Sequence, residues 1–351
     1  MAWRLHSDAE NCMAGSRLGG CLRILITVVL VAVVIAYVSA EVFLNLNSNV
    51  VARLVKDSRQ PLQVRLESGE WRVLIDVSRE ELRAAMKKRH AETDLLWSSF
   101  RVRRGAGMAG DAAQALFGAE VNVVTIRPET FDFSVSYRDD FEVTTAKERL
   151  REENAWFAIN ANFRYPGGKP MGWVIHEGRE VNQSFGDWSG CFFVSEGKPF
   201  AGPKSLLDEA PGRITEGVQV YPSVMKNHTV FSYVEQKPDE HFNGSQLSYR
   251  SLAGMRKDGA IMFVLSGDGG LMNVAEVAAV AQKLDIQHAT LMDGGRALQY
   301  SIRTTKGPWH FHAANTELPI DRHPFDRQRS PVYITARKRA PEVIAAKELS
   351  N

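Results

Sequence analysis

Residues 260–295 constrain the fold more than any other stretch. Ala260 to Leu265 is an unbroken apolar run, and Ser266-Gly267-Asp268-Gly269-Gly270 follows it. Val274, Val277, Ala281 and Leu284 then recur at the spacing of one helix face. Asn273 stands at the helix start with Glu276 three residues on, the spacing of a capping box. A second apolar run, Gln287 to Met292, leads into Asp293-Gly294-Gly295. The pattern is strand, helix, strand, which places the two strands parallel. Both Asp/Gly loops then leave the carboxyl ends of their strands, the edge where open sheets bind ligands.

The stretch before this unit reads as strands punctuated by Gly and Pro. Val121 to Ile126 is apolar and stops at Pro128. Phe131, Phe133 and Val135 alternate with polar residues, the period of a half-buried strand. Ala146 to Asn154 predicts a charged helix. Trp156 to Ile159, Trp173 to His176, Cys191 to Val194 and Gly217 to Tyr221 predict further strands. The expected class is α+β, a strand-rich mixed sheet with the C-terminal strand-helix-strand unit, in a single large domain. Arg79 to Glu92 is charged and helix-prone, and Arg101-Val102-Arg103-Arg104-Gly105 reads as a solvated basic turn.

The N-terminus is of another kind. Ile24 to Val38 is uncharged and strongly apolar, with Arg4, Arg17 and Arg23 before it and Val38-Ser39-Ala40 after it. That is a signal peptide or a signal anchor, with the basic side toward the cytoplasm. The division expected is 1–40 for this segment, 41–95 for a connector, 96–340 for the domain and 341–351 for a tail. Three cysteines stand at 12, 21 and 191, and only Cys191 falls in the domain. It sits in an apolar run and reads as a buried thiol. With 43 basic and 41 acidic side chains, charge gives no case for nucleic acid binding.

Several residues carry candidate chemistry, each with a plainer reading beside it. Asp293 and Asp268 are either carboxylates at a ligand edge or Asp-Gly turn residues. Glu276 is either an acid or base or the capping partner of Asn273. Asn160 and Asn162 follow a strand and suit sugar hydroxyls or phosphate oxygens; an Asx-turn is the alternative. Arg250 could clamp a phosphate through its planar fork, or be a surface arginine. His310 and His312 alternate along a strand without a third metal ligand, so no metal or cofactor is expected.

An ordered set of segments resembles the phosphodiester glycosidase family. It runs through Asn160-Ala161-Asn162-Phe163, Gly168-Lys169-Pro170-Met171-Gly172, Pro222-Ser223, Arg250-Ser251-Leu252-Ala253-Gly254 with Asp258-Gly259, the Glu276 helix and Leu291-Met292-Asp293-Gly294-Gly295. Arg329-Ser330-Pro331-Val332 resembles the family's closing strand. The resemblance covers about residues 95–340. It implies an extracytoplasmic hydrolase acting on a sugar-1-phosphodiester in a glycan. Asp293 would act with Glu276 and Asp268. Asn160, Asn162, Arg250, Ser223, Gly294, Gly295 and Arg296 would bind the substrate. Family members commonly continue Asp-Gly-Gly with Gly or Ser; Arg296-Ala297 stand here instead. Two other readings remain: a non-catalytic glycan-binding envelope module, and a metal-dependent phosphodiesterase.

Overall fold

The computed structural model describes residues 22–39, 60–105, 108, 119–186, 188–240, 244–313 and 329–340. The segment 1–21, the first part of the expected connector and the tail 341–351 lie outside the described residues. Leu22–Ser39 is a helix of 18 residues with mean hydropathy 2.6, long and apolar enough to cross a membrane. At 1.5 Å per residue it spans about 27 Å, near the thickness of a bilayer's hydrocarbon core.

Among the described residues the strands form three antiparallel sheets. The largest has ten strands. Its order is Thr229–Val230, Ser223–Lys226, Ile286–Leu291, Ser251–Arg256, Ile261–Ser266, Glu120–Ile126, Leu95–Arg103, Gln63–Arg65, Trp71–Val73, with Lys87–Glu92 also paired to Leu95–Arg103. The second runs Lys198–Pro203, Gly190–Ser195, Ile214–Val220, Val174–His176, Arg179–Asn182. The third runs Gly307–His312, Gln299–Thr304, Phe157–Asn160, Val332–Lys338, Phe131–Tyr137. The α+β, strand-rich class is the observed one.

The strand-helix-strand unit is present as Ile261–Ser266, the helix Val274–Lys283 and Ile286–Leu291. Its capping box forms: Asn273 Oδ1 accepts the Glu276 N–H at 2.8 Å, and Glu276 Oε2 accepts the Asn273 N–H at 3.0 Å. The two strands run parallel but are not neighbours. Ser251–Arg256 lies between them, antiparallel to both. That spacing puts the two Asp/Gly loops about 10 Å apart along the sheet edge.

Residues 60–95 are not a connector. Leu62, Val64, Leu74, Val77 and Leu82 are buried in the main core with Phe100 and Val264. Arg79 to Glu92 divides at Met86 into a helix, Arg79–Ala85, and a strand, Lys87–Glu92. Charge alone did not separate them. The strand is fixed by a hairpin with Leu95–Arg103: Glu92 pairs with Leu95 across the turn Thr93-Asp94, where Asp94 takes φ 62. The basic run 101–105 is not a solvated turn either. Arg103 lies over the Trp71 ring at 4.7 Å, and Arg104 is 4% exposed. Cys191 is fully buried beside Trp173, Phe193 and Leu206, and burial pushes its thiol well above the usual range.

Candidate active site

The three sheets converge at the end of Ile286–Leu291. From this strand the chain enters Met292-Asp293, and four contacts fix it there. The Asp293 N–H donates to Ala161 O at 3.0 Å, and Met292 N–H to Ser251 O at 2.9 Å. Asn160 Nδ2 and Ser251 Oγ both donate to Asp293 O, at 2.8 and 3.3 Å. The carbonyl and amide of Asp293 are thereby fixed by strands of two different sheets, and its side chain is left to face the cleft.

The two glycines that follow have separate reasons. A Cβ on Gly294 would stand 2.5 Å from Tyr249 O, a backbone atom with no room to give. Gly295 has φ +60 and donates its N–H to Tyr249 O at 2.7 Å. Gly294→Ala is therefore expected to destabilise the fold by roughly 1–3 kcal/mol. It should also displace Asp293, so activity falls by more than stability accounts for. Denaturant unfolding alongside kcat checks this.

The cleft holds about 200 Å3 and is lined by Phe163, Tyr221, Pro222, Gln246, Ser248, Arg250, Leu291, Met292, Asp293, Gly294 and Gly295. Asp293 is 8% exposed, and among the described residues none donates a hydrogen bond to its carboxylate. Burial pushes the carboxyl up to about 8, and the charge of Arg164 pulls the other way. A raised carboxylate in a cleft is the usual mark of a group held for chemistry. Arg250 is largely enclosed. Its Nε donates to Met272 O at 3.1 Å and its Nη2 to Gln246 O at 2.8 Å. Burial lowers it to about 10, with Glu276 opposing that, so it remains cationic at neutral pH.

Other expected site residues fall elsewhere. Asn160 does not offer its amide to a ligand. It is fully buried, and its Oδ1 accepts the Gln299 N–H at 2.9 Å while its Nδ2 holds Asp293. Asn162 is equally buried and donates to Met171 O and Gln219 O; among the described residues its Oδ1 has no partner. Ser223 gives its hydroxyl to Ser189 O. Arg296 is exposed and is not among the lining residues.

Glu276 is away from the reacting cleft as well. Besides its cap, it takes Arg104 Nη2 on both oxygens at 2.7 and 2.6 Å and the Leu62 N–H at 3.2 Å. Asp268 is exposed on a glycine turn and faces a wider basin with Arg65, Arg89 and Arg101. The intervening strand keeps it from Asp293. Arg164 was missed by sequence reasoning. It directly follows the segment Asn160-Ala161-Asn162-Phe163, and its charge was the available signal. Among the described residues no cluster of His, Cys, Asp or Glu is arranged to hold a metal. His310 Nδ1 is 2.8 Å from Ser301 Oγ, and burial with the charge of Lys147 lowers the ring to about 4.

The profile of the phosphodiester glycosidases matches residues 153–332, just over half of the chain. The chain belongs to the phosphodiester glycosidase family. The chain shares its fold with the catalytic domain of zebrafish N-acetylglucosamine-1-phosphodiester alpha-N-acetylglucosaminidase, solved in a form auto-inhibited by its pro-peptide. The two are 13% identical, with a TM-score of 0.51 over 73% of this chain and 89% of that one. A hypothetical protein from Synechocystis is similar at 13% identity and TM-score 0.48, covering 72% of this chain and 64% of its own. A putative exported protein from Burkholderia pseudomallei is similar at 11% identity and TM-score 0.44, covering 82% and 88%. A comparison with curated proteins finds no match. The family match supports hydrolase chemistry of the glycosidase type.

Proposed function

We propose that this protein hydrolyses the glycosidic C–O bond of a sugar-1-phosphodiester in a glycan outside the cytoplasm. The observation that carries the reading is Asp293: a buried carboxylate that accepts no hydrogen bond from the described residues, held by its backbone in a cleft that Arg250 also lines. The phosphate leaving group is weakly basic and needs little protonation. What the reaction needs is a counter-charge for that phosphate and a carboxylate facing the anomeric carbon. Arg250, with its fork anchored on two carbonyls, supplies the first, and Arg164 adds charge nearby. Asp293 supplies the second, as nucleophile or as base toward water. Asn160 acts through Asp293, holding its carbonyl. The apolar helix Leu22–Ser39, with Arg23 in its first turn, supports a membrane-tethered or exported location.

Hydrolysis in 18O-labelled water tests the bond. C–O cleavage puts the label on the anomeric carbon and releases an unlabelled phosphomonoester. Label on the phosphate would mean P–O cleavage and would remove Asp293 from this role. A second outcome is fixed by charge. Asp293 works ionised and its carboxyl is raised to about 8, so kcat/KM should climb with pH through about 8 and level above it. A rate that falls over that interval would make Asp293 an acid instead.

A further inference from the structure

The cleft lining is of two kinds: an apolar wall of Phe163, Tyr221 and Pro222, the first two joined through Trp188, and the polar residues Gln246, Ser248 and Arg250. Behind the apolar wall stands Trp188, 8% exposed. Its ring meets Phe163 edge-on at 5.2 Å and stacks on Tyr221 at 5.8 Å with 24° between planes. Phe185 joins Trp188 at 4.9 Å, and Tyr165 joins Phe185 at 6.1 Å. Phe163 and Tyr221 are half-buried, and both line the cleft.

The loop carrying Phe185 and Trp188 is held by one buried side chain. Gln219 Oε1 accepts the N–H groups of Phe185 and Trp173 at 2.9 and 3.1 Å. Its Nε2 donates to Trp188 O at 3.1 Å and Phe185 O at 3.4 Å. That takes up the full capacity of a carboxamide. Asn162 Nδ2 in turn bonds Gln219 O at 2.9 Å. The aromatic wall is thus set in advance of any ligand.

We propose that this wall is a pyranose-stacking subsite, with Gln219 as its positioning residue. The inference rests on the phosphodiester glycosidase reading and adds how the sugar is recognised. A pyranose has a C–H face that is apolar and a rim of hydroxyls that is not, the same division as the cleft. With its C–H face on Tyr221 and Phe163, its rim turns to Gln246 and Ser248 and its 1-phosphate to Arg250. The anomeric carbon then lies toward Asp293. A volume of about 200 Å3 is below the roughly 300–1,000 Å3 usual for larger ligands, so the subsite takes one ring.

The test is equilibrium binding to the full chain carrying Asp293→Asn, read by tryptophan emission. The probes are the 1-phosphates of glucose, galactose, mannose and N-acetylglucosamine, against glycerol 3-phosphate and inorganic phosphate. At least one pyranose 1-phosphate should bind about tenfold or more tightly than glycerol 3-phosphate. Its emission change should vanish in Trp188→Phe. Gln219→Leu should erase the preference for the ring while leaving phosphate affinity in place. Equal affinity for all the phosphates, or an emission change that persists in Trp188→Phe, overturns the subsite. Ring preference without hydrolysis by the unsubstituted protein would keep the subsite and remove the reaction. Hydrolysis without ring preference would do the reverse.

Discussion

Asp293→Asn is expected to abolish turnover and, at alkaline pH, to raise the melting temperature. Loss of the carboxylate removes the group facing the anomeric carbon, which should lower kcat by roughly 100- to 10,000-fold. The stability effect has the opposite sign because the carboxyl is raised to about 8 from an ordinary 3.8. The folded chain holds this proton more tightly than the unfolded chain does. Stability from it is complete below about pH 4 and is lost as pH rises through 8. The amide has no charge to bury, so variant and parent should melt alike near pH 4. They should separate as pH rises, until the variant is ahead by about 2–4 kcal/mol above pH 8. That is on the order of 5–10 °C in a domain of this size. Thermal melts at pH 4, 7 and 9 read the stability, and hydrolysis of a sugar-1-phosphodiester reads the activity. A variant that turns over normally would end the role given to Asp293. A variant less stable at every pH would mean that the carboxylate is a structural partner.

Glu276→Ala should do the reverse: a large loss of stability with chemistry intact. Glu276 binds both its own helix cap and Arg104, which is 4% exposed and also donates to Gln60 O. Removing the carboxylate takes the counter-charge from a buried guanidinium and frees the Leu62 N–H. Breaking one side of such a pair costs about 3–5 kcal/mol, or roughly 10 °C here. The Arg104→Met, Glu276→Ala double variant should lose less than the two single losses added together, because no unpaired charge remains. The folded fraction of Glu276→Ala should keep kcat within about twofold. Unchanged stability with turnover lost would return Glu276 to the reaction.

The Glu276 case shows why sequence left its two roles open. Asn273 and Glu276 give the capping box by spacing alone, and the box forms. What sequence could not supply was Arg104, 172 residues away, which occupies both oxygens. Asn160 is similar. Its place after a strand was legible, but its amide is taken up by Asp293 and Gln299, partners 133 and 139 residues distant. Asp268 and Asp293 share a sheet edge as the pattern requires. They part because Ser251–Arg256 inserts between their strands, a choice of strand order that local residues do not encode.

Local physics determined what sequence could tell: the apolar N-terminal helix, the strand-rich class, the capped helix at 274, and the glycines that let Asp293 turn at a strand end. Each depends on residues within a turn or a strand length of one another. Strand order, the burial that raises Asp293, the Arg104–Glu276 pair and the aromatic wall behind Tyr221 were decided only by the tertiary structure. Desolvation and pairing are properties of neighbours in space, and the neighbours here come from strands far apart along the chain.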